Sequence, residues 1–231
     1  MMRLSVVVPV LDEAETIADH LDSLAPLRAG GAEVIVVDGG SDDDTLARAR
    51  RGADRVLAAA RGRARQMNAG AAAAAGDILL FLHADTRLPP EAGMHIREAL
   101  AAGERAWGRF DVRIAGGRRL LGVVAALMNR RSRLTGIATG DQAIFVTRAA
   151  FAAAGGYPDI PLMEDIALSR RLKRLSRPAC LKARVTTSGR RWERNGVTRT
   201  ILTMWRLRLA FFLGADPRAL AVAYGYRPGD G

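Results

Sequence analysis

Cysteine is almost absent from this chain. Cys180 is the only one, so no intrachain disulfide can form and no cysteine cluster can hold a metal. Lysine is nearly as scarce: Lys173 and Lys182 are the only two among 35 basic residues. Aromatic residues make up 5%, and the three tryptophans are too scattered to form a base-stacking platform for nucleic acid. No apolar run approaches the ~20 residues of a membrane span. The apolar start of the chain breaks at Pro9 and turns acidic at Asp12, unlike a signal peptide. The default expectation is a cytoplasmic protein. The turn after the first apolar run, Pro9-Val10-Leu11-Asp12-Glu13, also lacks the glycine fingerprint of a dinucleotide site.

What is present is arginine. Net charge is +11 and the sequence pI about 11.2. Such a charge suits phosphorylated small molecules, anionic lipid or nucleic acid without choosing among them, and with the many alanines it also reflects a compositional bias. A length of 231 residues, 49% hydrophobic and 26% charged, fits one large folded domain, or one domain with a small appendage.

Apolar runs at Leu4–Val10, Glu33–Val37, Arg55–Ala59 and Ile78–Leu82 read as strands. Helical spacing over Glu13–Leu24, Ser41–Arg50 and Arg63–Ala75 separates them. This alternation predicts a parallel sheet with right-handed crossovers. After Pro89-Pro90 the pattern predicts a helix to Ala102, a strand over Trp107–Ile114 and a helix over Arg118–Leu134. Short strands follow at Ala143–Val146 and Ala183–Thr187, with helices at Glu164–Leu175 and Val197–Leu213.

Carboxylates stand at the ends of three of these strands: Asp12-Glu13, Asp38 and Asp85. Open α/β sheets bind ligands at that edge. A carboxylate there, with the imidazole of His83 two residues before it, suits a divalent metal held against a phosphate. Taken singly each acid also reads as turn or helix-start chemistry. The same holds for Glu164-Asp165 at a predicted helix start.

Taken in order, Pro9-Val10-Leu11-Asp12-Glu13, Val37-Asp38-Gly39-Gly40-Ser41-Asp42-Asp43-Asp44-Thr45 and Leu82-His83-Ala84-Asp85-Thr86 resemble the family 2 glycosyltransferases of the GT-A fold. Arg63-Ala64-Arg65-Gln66-Met67-Asn68-Ala69-Gly70 is similar to that family's Ala-Arg-Asn-x-Gly helix. Met163-Glu164-Asp165 is similar to its Glu-Asp catalytic motif, and Arg190-Arg191-Trp192 loosely to a later basic-aromatic one. Two departures stand out. Asp12 replaces the usual Asn, and His83 replaces the first Asp of the Asp-x-Asp metal motif. A Leu-His-Ala-Asp-Thr string is similar to that of a small bacterial subgroup of soluble members.

The resemblance implies an α/β fold, a GT-A-type Rossmann-like α/β/α sandwich with a mostly parallel sheet and a helical C-terminal appendage. It implies a division at 1–115 (nucleotide-sugar half), 116–192 (acceptor and catalytic half) and 193–231 (appendage). It implies an inverting, metal-assisted transfer from a nucleotide-diphosphate sugar to a hydroxyl acceptor, a small molecule or a lipid. Asp165 would be the general base, supported by Glu164. Pro9, Asp12, Glu13, Asp38, Arg63, Arg65, Asn68, Gly70, His83, Ala84 and Asp85 would bind the donor. Asp85 and His83 would hold Mn²⁺ or Mg²⁺. Asp141, Gln142, Arg190, Arg191 and Trp192 would line the acceptor site.

Two other functions fit parts of the pattern. A nucleotidyltransferase would carry a Gly-rich basic loop after the first strand, which is missing here. A non-catalytic binder of anionic surfaces would leave the acidic strand ends without a task, and nucleic acid is not an expected partner. The segment 197–213 reads as a packed helix with Arg208 snorkelling outward, as a dimer contact, or as an interfacial helix on the inner face of a membrane.

Overall fold

A computed structural model describes residues 2–118 and 120–226, without the side chains of Arg191 and Asn195. The first half is an alternating unit: β1 (Leu4–Val10), α1 (Ile17–Asp22), α2 (Ala25–Ala29), β2 (Glu33–Asp38), α3 (Thr45–Ala49), β3 (Arg55–Ala58), α4 (Arg63–Ala73) and β4 (Ile78–Phe81). It continues with β5 (Thr86–Arg87), α5 (Ala92–Ala101), β6 (Trp107–Ile114), α6 (Leu120–Thr135), a 3₁₀ turn (Gly140–Gln142), β7 (Phe145–Thr147) and α7 (Arg148–Ala153). The remainder is α8 (Glu164–Leu172), β8 (Ala179–Thr187), α9 (Arg190–Asn195), α10 (Val197–Phe212) and α11 (Pro217–Tyr224).

The eight strands of the described residues join one sheet in the order β3-β2-β1-β4-β7-β6-β8-β5. Among the described residues β1 pairs in parallel with β2 and β4, β2 with β3, and β6 with β8; β7 runs antiparallel between β4 and β6. β5 pairs antiparallel with β8. The sheet is therefore mostly parallel, as expected, with β7 reversed between its two parallel blocks.

Side-chain alternation explains why the sheet is covered on both faces. On β1, Leu4, Val6, Val8 and Val10 enter one apolar cluster, while Val7 enters the other. On β4, Ile78 and Leu80 face the first cluster and Leu79 and Phe81 the second. The helix α4 lies close on the second face because Gly70 has no side chain. A Cβ there would fall 2.3 Å from Val7 Cγ1, and filling a space that tight typically costs ~1–3 kcal/mol. A third cluster joins Leu207 of α10 and Leu220 and Ala221 of α11 to Ile137, Leu162, Met163 and Ile166. The C-terminal helices thus pack on the segments around Glu164.

The chain order reverses direction across β1, with β2 on one side and β4 on the other. Such a switch point opens a crevice at the carboxyl ends of the strands, and it positions everything described next.

Candidate active site

A cleft of about 770 Å³ opens at this switch point. Pro9, Val10 and Glu13 line it from the end of β1, and His83, Ala84 and Asp85 from the end of β4. Arg61, Gly62 and Arg63 approach from the start of α4, and Asp141, Glu164 and Asp165 from the far wall. Trp192 also lines it.

The turns after β1 and β2 are tied to each other. Asp12 adopts a left-handed backbone with φ 53°. Its N–H donates to Ser41 Oγ at 2.9 Å, and its Oδ1 accepts from the Asp42 N–H at 2.9 Å. Asn and Asp are the non-glycine residues that best tolerate this conformation, which accounts for Asp where the family carries Asn. Asp38 is almost fully buried. Its Oδ2 accepts from the Gly40 and Ser41 N–H groups at 2.9 and 3.0 Å, and Ser41 Oγ donates to Oδ1. Its carboxylate points into this turn and braces it, the turn chemistry that the sequence left open beside a nucleoside contact.

Gln66, quoted within the α4 motif but given no role, is the brace beneath the cleft. Its Nε2 donates to Val10 O and Val37 O, both at 2.8 Å, and so joins the ends of β1 and β2. Three α4 residues expected at the donor stand elsewhere. Arg65 pairs at the surface with Asp159 at 2.8 Å. Asn68 bonds the backbone of Tyr157, donating to its O at 2.8 Å and accepting from its N–H at 2.9 Å. Gly70 is the packing contact already described. Helical geometry explains the difference: of the α4 residues, Arg63 and Gln66 line the cleft.

His83 is largely buried, with Nδ1 3.6 Å from Asp141 Oδ1. Asp85 is exposed in the cleft; its Oδ1 lies 3.2 Å from Thr86 Oγ1, and its backbone O accepts from the Ser188 N–H at 3.2 Å. Among the described residues no three His, Cys, Asp or Glu side chains gather to hold a metal. The donors expected from the sequence are one carboxylate, Asp85, and one imidazole, His83. They fit an ion completed by phosphate oxygens and water, as magnesium commonly is, and do not fit a closed protein cage.

The far wall is built on strained backbone. Met163 precedes α8 at φ 70°, and Ala143 follows the 3₁₀ turn at φ 48°. Such conformations gather at functional sites. Asp165 accepts from the Gly140 N–H at 2.9 Å and the Ile166 N–H at 2.6 Å. Glu164 is buried, and burial followed by the neighbouring Asp165 charge pushes its carboxyl up to about 7, against the pull of Arg63 and His83. Enclosure by the cleft disfavours the Arg63 charge, yet its surroundings, with Glu164 and Asp141 among them, hold it above the usual arginine range.

Of the residues expected at the acceptor, Asp141 and Trp192 line the cleft. Gln142 does not: it is fully buried, and its Nε2 donates to Ser132 Oγ at 3.2 Å beneath the 3₁₀ turn. Arg190 folds back, with Nε 3.2 Å from Ser188 Oγ. The side chain of Arg191 lies outside the described residues. Arg131, Met204, Trp205, Arg208, Tyr224 and Tyr226 line the cleft without having been anticipated there. The one available signal was Arg208, a charge among apolar helix positions. It turns into the cleft and does not snorkel outward.

The sequence profile of glycosyl transferase family 2 matches residues 5–150. Glucosyl-3-phosphoglycerate synthases of Mycolicibacterium paratuberculosis and Mycobacterium tuberculosis are 38% and 37% identical over 92 residues. Those matches cover 36% of this chain, which spans only 28% of the relatives' length. Among solved structures, the M. tuberculosis synthase with Mg²⁺ and uridine diphosphate superposes with a TM-score of 0.60 at 26% identity, covering 80% of this chain and 70% of that one. Staphylococcus aureus TarS 1–349 shares the fold, with a TM-score of 0.67 at 20% identity, covering 81% of this chain and 61% of its own. With its profile matched from β1 to the start of α7 and its fold shared with these structures, the chain belongs to glycosyl transferase family 2.

Proposed function

We propose that the chain transfers a sugar from a nucleoside-diphosphate sugar to a hydroxyl acceptor, with inversion at the anomeric carbon. One observation carries this reading: a single cleft joins the His83–Asp85 strand end, Arg61 and Arg63, and the Glu164–Asp165 helix start. Asp85 and His83 would hold Mn²⁺ or Mg²⁺ against the diphosphate. Such an ion, when bound, neutralises charge on the leaving diphosphate. Arg61 and Arg63 add fixed positive charge at the start of α4, where backbone N–H groups also favour an anion. Glu13 and the braced turns after β1 and β2 shape the nucleoside end. Asp165, fixed by the Gly140 N–H, takes the acceptor proton as the hydroxyl attacks. The M. tuberculosis synthase, solved with Mg²⁺ and uridine diphosphate, supports the donor class. The divisions 1–115, 116–192 and 193–231 fit these tasks as donor half, acceptor half and closing helices.

Calorimetry with UDP, GDP and dTDP tests the reading. One of them is expected to bind more tightly with Mn²⁺ than in EDTA, and Asp85→Ala to remove the difference. Equal affinity in both conditions for all three would sink it.

The partner surface is proposed as an anionic membrane met peripherally by α6 and α10. No helix among the described residues is long and apolar enough to cross a membrane. Leu202, Trp205 and Leu209 are nonetheless exposed along one stripe of α10, continued by Leu213 just past its end, and Leu120, Val123, Leu127 and Leu134 on α6. Arg199 and Arg206 flank the α10 stripe, the arrangement of an interfacial helix. Co-sedimentation with phosphatidylglycerol vesicles, lost as salt rises, is expected. A dimer in solution without vesicle binding would assign this face to a second copy instead.

A further inference from the structure

Arg131 on α6 and Arg208 on α10 both line the acceptor half of the cleft, and neither is paired there. Nε and Nη2 of Arg131, and Nε of Arg208, are buried without a hydrogen-bond partner among the described residues. Two other arginines of this fold spend their guanidinium donors on protein acceptors. Arg148 gives its guanidinium to the Gly76 carbonyl at 2.9 and 2.7 Å and to the Ala74 carbonyl. Arg133 pairs with Asp111 at 2.7 Å. Leaving buried charged donors unmade is costly, and two like charges sharing one wall add repulsion.

The electrostatics agree with the geometry. Burial first, and then the Arg208 charge, lower the Arg131 guanidinium to about 10, while Asp165 pulls the other way. Arg131 still carries its charge at neutral pH. Asp165, the proposed catalytic base, is the acid that acts on Arg131, and Arg131, Arg208 and Asp165 all line the same cleft. The surrounding wall is apolar, with Met128, Ile201 and Met204.

We propose that Arg131 and Arg208 form an oxyanion subsite, so that the hydroxyl acceptor carries a phosphate group seated between α6 and α10. The proposal deepens the transferase reading and rests on it. Three unpaired guanidinium nitrogens arriving from two helices match the several oxygens of a tetrahedral phosphate, and forked guanidinium groups are the usual means of gripping one. The phosphate would sit beside Asp165, and its apolar surroundings would take the carbon chain next to it. Donor phosphates are met elsewhere, at Arg61, Arg63 and Asp85. The phosphate belongs either to a soluble ester or to a lipid headgroup, and the experiment has an arm for each.

Thermal-shift titration of the full chain in EDTA compares sodium phosphate with sodium chloride at matched ionic strength. Phosphate is expected to raise the melting temperature of the wild type. Arg131→Gln and Arg208→Gln should each weaken the apparent phosphate affinity ~10-fold or more, the usual scale for a charge-assisted contact. Arg206→Gln, exposed on the outer side of α10, should not. In the second arm, vesicles of phosphatidic acid in phosphatidylcholine are compared with phosphatidylcholine alone. Phosphatidic acid binding lost in Arg131→Gln makes the phosphate lipid-borne. Unchanged vesicle binding with a lost response to free phosphate makes it a soluble ester. UDP titrations with Mn²⁺ on the same proteins separate the two claims: phosphate binding without nucleotide binding leaves the subsite standing and removes the transferase reading. Should a variant fail to fold, phenylglyoxal labelling of the wild type replaces it, with Arg131 and Arg208 expected to be protected by phosphate. Variants that respond like the wild type, a wild type indifferent to both probes, or labelling unchanged by phosphate overturns the proposal.

Discussion

The Gly140 N–H donates to Asp165 Oδ2 at 2.9 Å across 25 residues of sequence. The same glycine lies under the His83 ring, where a Cβ would fall 2.4 Å from Cε1 and 2.5 Å from Nε2. One residue without a side chain therefore sets both the imidazole of the strand-end motif and the carboxylate of the helix start. Their separation in the cleft is fixed by the 3₁₀ turn between them.

Gly140→Ala should push His83 aside while leaving the backbone able to hold Asp165. We expect metal-assisted nucleoside diphosphate binding to weaken about 10–100-fold, the scale seen when a group supporting a metal ligand is lost. Nucleotide affinity in EDTA should stay near wild type. Calorimetry with and without Mn²⁺ checks both, and an unchanged Mn²⁺ enhancement would show that His83 is not needed for it.

Asp38→Ala is expected to act mainly on stability. It strips three donors of their acceptor, the Gly40 and Ser41 N–H groups and Ser41 Oγ, beside a nearly closed turn. Leaving such groups unmade costs ~1–3 kcal/mol. Donor affinity should fall as the turn loosens, and urea denaturation should show a lower midpoint with an unchanged slope. A variant as stable as wild type but unable to bind donor would return Asp38 to a direct nucleoside contact.

Which parts of this were legible in the sequence follows from the physics of each signal. β1, β2 and β4 were readable because their residues are apolar on both faces. The acids Asp12, Asp38 and Asp85 were readable because each ends such a run. What an acid does at a strand end was not. Asp38 and Asp85 look alike in sequence, and only the turn geometry turns one inward and leaves the other open to the cleft. α7 was missed because Thr147 both ends β7 and caps the next helix, its Oγ1 accepting from the Ala150 N–H at 3.2 Å, so no breaker separates them. Two-residue β5 exists only through its pairing with the distant Thr186 and Thr187. Periodicity placed Arg208 correctly among apolar positions of its helix. It carried no information on the cleft those positions face.

His20 should make the fold sensitive to acid. It is buried, with both ring nitrogens unpartnered among the described residues. Burial first, and then Arg87, lower its pKa from 6.5 to about 4. Below pH 6.5 the unfolded chain takes up a proton that the folded chain refuses until about pH 4. Stability from this group is therefore intact above 6.5 and lost as pH falls through that window, on the order of 3 kcal/mol at its acidic end. His20→Leu should remove the slope. Denaturant midpoints for both proteins between pH 4 and 7 provide the comparison, and parallel profiles would contradict it.

The proposed catalytic pair gives the last prediction. Asp165→Asn keeps the shape and one acceptor oxygen for the Gly140 N–H, but it cannot take a proton. Turnover should fall by ~10²–10⁴-fold, the usual cost of losing a positioned base, with donor affinity nearly unchanged because the proposed donor contacts lie on the opposite wall. Glu164→Gln should be milder and should leave a different mark. The Glu164 carboxyl is raised from 4.5 to about 7, so the folded chain holds a proton in that window that the unfolded chain has released. Its contribution to stability is greatest below pH 4.5 and declines until about pH 7. Glu164→Gln should abolish that decline, and it should remove any inflection in turnover near pH 7. Asp165→Asn removes the neighbouring charge and should move the same inflection to lower pH. The readouts are denaturant midpoints and the pH dependence of donor consumption, measured with a phosphorylated acceptor or with water. A Glu164→Gln protein without turnover, beside an active Asp165→Asn protein, would exchange the two roles.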